Sequence, residues 1–152
     1  IILFGDHGTR FFKDKHTLSN QQCNIGFYIK DKKNIINKSK LIQTIDIFPS
    51  LAQRHIKSYK NFSKFQFDGI NSLFSNKRND YTISESIYLN KYEIAVRLEK
   101  SILYSIYKMK NNSLLYEEKN NLYNNKMKEI KNQKNASIFL NLNKLKNNHI
   151  KK

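Results

Sequence analysis

Asp6 and His7 stand side by side in Gly5-Asp6-His7-Gly8, directly after the apolar run Ile1-Ile2-Leu3-Phe4. A carboxylate and an imidazole are donors suited to Zn, Mn, Mg or Ca, and flanking glycines let the backbone approach an ion or an anion closely. The pair reads as half of a metal site. The same tetrapeptide also suits an Asx-type turn beside a solvated histidine, so the weight rests on what surrounds it. A few residues on, Arg10, Lys13, Lys15 and His16 crowd into the polar stretch Thr9 to Gln22, a loop of substrate-binding character in which Arg10 reads as a surface arginine. Cys23 is the one cysteine of the chain, which excludes an intrachain disulfide and a Cys-rich zinc cluster. Nothing beside it marks a thiolate nucleophile, and a reduced, partly buried side chain is the expectation.

The elements that must position these groups follow from hydrophobic pattern. Ile1 to Phe4 predicts a buried parallel strand ending in a sharp turn, and in open α/β sheets ligands bind at the carboxyl ends of such strands. Ile25-Gly26-Phe27-Tyr28-Ile29 predicts a second buried strand, stopped by the charged run Lys30-Asp31-Lys32-Lys33. From Ile42 to Ile56 the residues Ile45, Phe48, Leu51, Ala52 and His55 or Ile56 recur at helical spacing, with Asp46 and Pro49 suited to a first turn. From Phe65 the pattern changes to short alternating segments. Asp68-Gly69 signals a turn, and Tyr81 to Tyr88, Tyr92 to Leu98 and Ile102 to Lys108 predict three antiparallel strands. In the second of these, Tyr92, Ile94, Val96 and Leu98 fall opposite Glu93, Ala95 and Arg97, which predicts one buried side. Ser113 to Asn135 has weak helical periodicity, and the end carries little order signal beyond Ile138-Phe139-Leu140.

Composition bounds the possibilities. The 152 residues are 39% hydrophobic and 12% aromatic, enough for one modest domain with a real core. No apolar run approaches the roughly 20 residues that span a bilayer as a helix, and the sequence assigns no compartment. Opening inside an apolar strand suggests the back end of something longer. The net charge of +16 would ordinarily point to nucleic acid or an anionic surface. From Lys108 to Lys152, however, eleven lysines against three glutamates are interspersed with asparagine rather than stacked on one helical face. A solvated tail is the favoured reading, with a nucleic-acid-binding arm of interleaved Tyr and Lys as the alternative from another class.

One family places these segments in this order. The strand into Gly5-Asp6-His7-Gly8, the basic loop, the strand at Ile25 to Ile29, Thr44-Ile45-Asp46-Ile47-Phe48-Pro49-Ser50-Leu51 and Phe67-Asp68-Gly69-Ile70-Asn71-Ser72-Leu73 together resemble the carboxyl-terminal half of a sulfatase, and more broadly the alkaline phosphatase superfamily. Ile83-Ser84-Glu85-Ser86, Ala95-Val96-Arg97 and Tyr107-Lys108 resemble the strands of that family's terminal subdomain, so the likeness covers roughly Ile1 to Lys108. It implies an α/β fold: a partial alkaline-phosphatase-like sheet with helices over residues 1–64, a small antiparallel subdomain over 65–110, and a Lys/Asn-rich tail over 111–152, partly helical or disordered.

The resemblance also implies roles. Asp6 and His7 match the pair that ligates the catalytic divalent ion (Ca, Mn, Mg or Zn). His16, with Lys13 or Lys15, lies where the family places groups that meet the sulfate or phosphate oxygens and the leaving group. Asp46 and Pro49 match an Asp-x-x-Pro-Thr motif, with Ser50 in the Thr place and a structural role; a helix cap is the expected one for Asp46. The family's nucleophile belongs to an earlier part of the complete protein, and Cys23 lacks the Cys-x-Pro-Ser-Arg modification sequence. The implied whole is therefore a metal-dependent hydrolase or transferase of sulfate or phosphate esters, missing its amino-terminal half and inactive as this chain alone. A phosphoethanolamine or phosphoglycerol transferase is the neighbouring alternative, and a pseudoenzyme a third.

Overall fold

The structure, a computed structural model, describes residues 1–5, 18, 23, 27–30, 41–56, 69–75, 78–111, 113–124, 126–130 and 135–151. In chain order these form strands β1 (Ile2–Phe4) and β2 (Phe27–Ile29), a 3-10 turn (Thr44–Asp46) running into helix α1 (Ile47–His55), strands β3 (Thr82–Tyr88), β4 (Lys91–Arg97), β5 (Ser101–Lys110) and β6 (Ser113–Asn124), and helix α2 (Ala136–Ile150). The class is mixed α/β, with a two-stranded and a four-stranded sheet. Among the described residues no helix is long and apolar enough to cross a membrane. The chain divides into two compact units: one holds Ile1 and Lys30–Thr82, the other Ile2–Ile29 and Ile83–Lys152.

In the first unit, α1 does not bury the stripe that its apolar spacing predicts. Ile45 and Phe48 are exposed, and the inward face carries Asp46, Pro49, Ser50 and Ala52. Two of those four are polar. Pro49, third in the helix, sits where its missing N–H has no intrahelical partner to lose. The face is turned by hydrogen-bonding partners rather than by its bulky apolar residues, and the segment 69–75 supplies them.

In the second unit, β1 and β2 pair antiparallel, with Ile2 opposite Ile29 and Phe4 opposite Phe27. This corrects the expectation of a buried parallel strand: Ile1, Leu3, Phe4 and Tyr28 are exposed. A short apolar run fits either environment, and periodicity alone does not separate them.

The four-stranded sheet is a meander in the order β3-β4-β5-β6. The three strands foreseen from 81 to 108 are present; β6 lies where weak helical periodicity was expected. In β4 both faces are covered, since Ile94, Ala95, Val96 and Arg97 are all buried. Register explains it. Ile94 pairs with Ser105 and Val96 with Leu103, and Ser105 in turn pairs with Asn120, so these share one face. Helix α2 covers it: Lys146 and Asn143 reach Ser105 and Asn120, and Leu142 is fully buried. The opposite face carries Ala95, Ile102, Tyr104 and Tyr123, which cluster with Leu18, and Cys23, Ile106 and Met127 pack at the margin. Tyr104 and Tyr123 meet edge to face at 6.3 Å.

Two irregularities in the β5–β6 ladder reset its register. Ile106 faces Lys119 but Tyr107 faces Glu117, and Lys108 faces Tyr116 but Met109 faces Leu114. Glu118 and Leu115 are therefore the extra residues of two bulges. The first one turns Glu117 to the α2 side of the sheet and sends Glu118 toward Lys91, 3.6 Å away.

Candidate functional site

The described residues build one densely bonded polar junction around Asp46. Its side chain is fully buried, and both carboxylate oxygens accept. The Ile70 N–H donates to Oδ1 at 2.9 Å, while Oδ2 accepts from the Gln43 N–H at 3.1 Å, the Ser72 hydroxyl at 3.0 Å and the Asn79 side-chain amide at 2.6 Å. The bond to Gln43 closes a reciprocal capping box over the 3-10 turn, while the side chain makes no cap bond to α1 itself. The expected helix cap is thus half of the finding. The carboxylate caps the turn before the helix and, with its other lone pairs, holds a segment 24 residues downstream in the chain.

That segment is stitched along its length. The Leu73 N–H donates to Ser50 Oγ at 3.3 Å, the Asn71 amide donates to Gln53 Oε1, and the Asn71 carbonyl oxygen Oδ1 accepts from the Phe74 N–H at 3.2 Å. The Arg54 guanidinium lies over the Phe74 ring, 4.4 Å from its centre. Gly69 fits because it lacks a Cβ, which would sit 2.1 Å from the Ile45 carbonyl oxygen. Gly69→Ala is accordingly expected to destabilise this unit by about 2–3 kcal/mol through a backbone clash that no rotamer relieves. The measurement is the shift of the urea midpoint, and a change within about 0.5 kcal/mol would mean the two backbones do not meet there.

With both oxygens accepting, four donors in all, and no exposed surface, Asp46 braces the fold. Among the described residues, no group of three or more His, Cys, Asp and Glu is arranged to hold a metal. Asp6 and His7, which follow β1 and Gly5, lie outside the described residues, as do Arg10, Lys13, Lys15 and His16.

Cys23 lies half-buried at the margin of the second unit's core, in contact with the Arg97 side chain. Arg97 is itself buried and donates to Ser84 Oγ at 3.0 Å and to the Leu18 carbonyl oxygen. Burial pulls its pKa below the ordinary arginine value, with the Cys23 contact working the other way. This is the environment of a guanidinium that ties strands β3 and β4 to Leu18.

A second polar network, unforeseen from the sequence, lies between α2 and the sheet. Lys146 is 1% exposed. Its ammonium donates to Glu117 Oε1 at 2.5 Å and to Ser105 Oγ at 3.2 Å, and lies 5.5 Å from the centre of the Tyr107 ring. Ser105 donates to Asn120 Oδ1 at 2.8 Å, Asn120 to Asn143 Oδ1 at 2.8 Å, and Asn143 to the Phe139 carbonyl at 3.1 Å. Desolvation, reinforced by the bond to Glu117, raises the Tyr107 pKa. Partial burial would raise that of Glu117, but hydrogen bonds from Lys146, Tyr107 and Ser105 outweigh it and hold the carboxyl below its usual range. A signal existed: Ile138, Leu142 and Lys146 recur every four residues, which puts the lysine on the apolar stripe of a helix.

No family model matches the chain, and no curated protein or solved structure matches it either.

Proposed function

We propose that residues 1–108 are the carboxyl-terminal part of a sulfatase-like enzyme of the alkaline phosphatase superfamily, a metal-dependent hydrolase or transferase of sulfate or phosphate esters. One observation carries this reading. The Asp46-x-x-Pro49-Ser50 and Gly69-x-x-Ser72-Leu73 segments, two of the pieces on which the likeness rests, meet around one buried carboxylate: Asp46 with Ser72, Ser50 with Leu73, Gly69 against Ile45. The resemblance implies a structural role for Asp46 and Pro49, and the convergence of the two segments supports it.

On this reading Asp6 and His7 hold a divalent ion, a role that a carboxylate and a neutral imidazole suit by their donor chemistry. When bound, such an ion polarises an ester oxygen and offsets charge on the transferring group. His16, with Lys13 or Lys15, presents positive charge to the sulfate or phosphate oxygens and the departing oxygen, where positioning and electrostatics supply most of the rate. In the family the nucleophile belongs to an earlier part of the complete protein, and Cys23 lacks the modification sequence. In a parent chain that carries that earlier part, Asp6→Ala is expected to abolish divalent-ion binding at this site, read by elemental analysis of the purified protein. Metal content equal to that of the unsubstituted parent overturns the assignment.

A further inference from the structure

The two hairpin turns at one end of the four-stranded sheet carry a cluster of exposed aliphatic and aromatic side chains. The β3–β4 turn presents Ile87, Tyr88 and Leu89, and the start of β6 presents Leu114, Leu115 and Tyr116. The turns are neighbours, since the Met109 N–H donates to the Asn90 carbonyl at 2.7 Å and Lys91 pairs with Lys108. Lys91, Lys108 and Lys110 are exposed around them. No Asp or Glu lies from Ser86 to Tyr92 or from Tyr107 to Tyr116; Glu85 and Glu93 flank the first turn, Glu117 and Glu118 follow the second, and of these Glu118 pairs with Lys91 at 3.6 Å while Glu85 accepts from the Tyr92 hydroxyl.

Folding does not account for the residue at the apex. Leu89 and Asn90 both have positive φ, 47° and 61°, the pattern of a tight two-residue hairpin turn. Asn tolerates that conformation, whereas a leucine there is strained, and this one leaves its side chain 74% exposed. Neither turn geometry nor burial calls for an aliphatic residue. Leu115 is likewise the extra residue of a bulge with its side chain in solvent, so the ladder does not call for it either.

We propose that this end of the sheet is a docking surface for an anionic phospholipid bilayer, with Leu89, Leu115 and their apolar neighbours entering the headgroup boundary. Lys108 and Lys110 meet the negative lipid charge around them, beside Lys91, which is shared with Glu118. Short aliphatic tips ringed by lysines match both layers of such a surface: the hydrocarbon edge takes the Leu and Ile side chains, Tyr88 and Tyr116 suit the interface, and lysine stems reach the phosphates. Single-stranded nucleic acid fits the lysines and tyrosines but gives no place to Ile87, Leu89, Leu114 and Leu115.

The test is co-sedimentation of the 152-residue chain with phosphatidylcholine vesicles that contain or lack phosphatidylserine. The expected result is binding that requires phosphatidylserine, weakens with added salt, and falls roughly tenfold or more in Leu89→Asn/Leu115→Ser. Leu89→Asn relieves the turn strain, so the variant keeps its thermal midpoint and misfolding does not mimic the loss. Leu140→Ser, at an exposed apolar position on α2, leaves binding unchanged. The proposal is overturned by absence of sedimentation, by equal binding with and without phosphatidylserine, by a double variant that binds as well as the parent, or by tip-dependent capture of a single-stranded oligonucleotide in place of vesicles.

Discussion

Asp46→Ala is expected to be the most damaging single substitution among the described residues, costing about 3–5 kcal/mol. The loss is not one hydrogen bond but the acceptor for four donors, two of them backbone N–H groups that cannot rotate away. Water offers poor replacement at a side chain with no exposed surface. Asp46→Asn gives a graded result. Its single carbonyl oxygen can serve the three donors at Oδ2, but its amide group then faces the Ile70 N–H, a donor against a donor, so a cost of about 2–3 kcal/mol follows. Urea denaturation reads the ranking, and hydrogen exchange at the Ile70 and Leu73 amides localises it, since both should lose protection together. Alanine within about 1 kcal/mol of the parent, with the Ile70 amide still protected, would remove the brace and the main support for the sulfatase-like reading.

The same carboxylate marks how far pattern reading reaches. Period-two alternation made the strands from 82 to 110 legible, because an antiparallel meander built from local hairpins writes its structure into neighbouring residues; the Asp68 half of the expected Asp68-Gly69 turn lies outside the described residues. Strand β6 was not legible: bulges at Glu118 and Leu115 interrupt the alternation, and the remaining apolar residues, Leu114, Leu115, Leu122 and Tyr123, fall at spacings that suit a helix as well. The covered second face of β4 was hidden because Ala95 and Arg97 do not read as core, and they become so only where Leu18 and Cys23 pack over them. Asp46 was picked out by its motif, and its structural role was anticipated, but its partners at 70, 72 and 79 are set by tertiary folding. Rotation of α1 toward a polar face follows from those partners, so a hydrophobic stripe was the wrong guide there. The candidate ligands Asp6 and His7 stand on sequence and resemblance alone.

Lys146 offers the second large effect and a test of why a lysine occupies a buried position. Lys146→Ala is expected to cost about 3 kcal/mol, because it empties the space filled by the aliphatic stem against β4 and β5 and strips Glu117 and Ser105 of their cationic partner. Lys146→Met separates the two contributions. It keeps the stem and removes the charge, and the Glu117 side chain, 31% exposed, can turn to water, so the expected cost is about 1 kcal/mol. A double-mutant cycle with Glu117→Gln should return a coupling of about 1–2 kcal/mol, below the figure for a fully desolvated pair because solvent screens the carboxylate.

Acid dependence gives an independent check. The folded-state pKa of Glu117 is depressed, so its contribution is present above the unfolded carboxyl pKa and disappears as pH falls through the folded one. Stability of the parent should therefore decline on acidification from about pH 4.5 downward, and Lys146→Met should show a shallower decline over that range. Equal acid slopes in the two proteins would assign the network's stability to packing of the lysine stem and the Asn120–Asn143 bond rather than to charge.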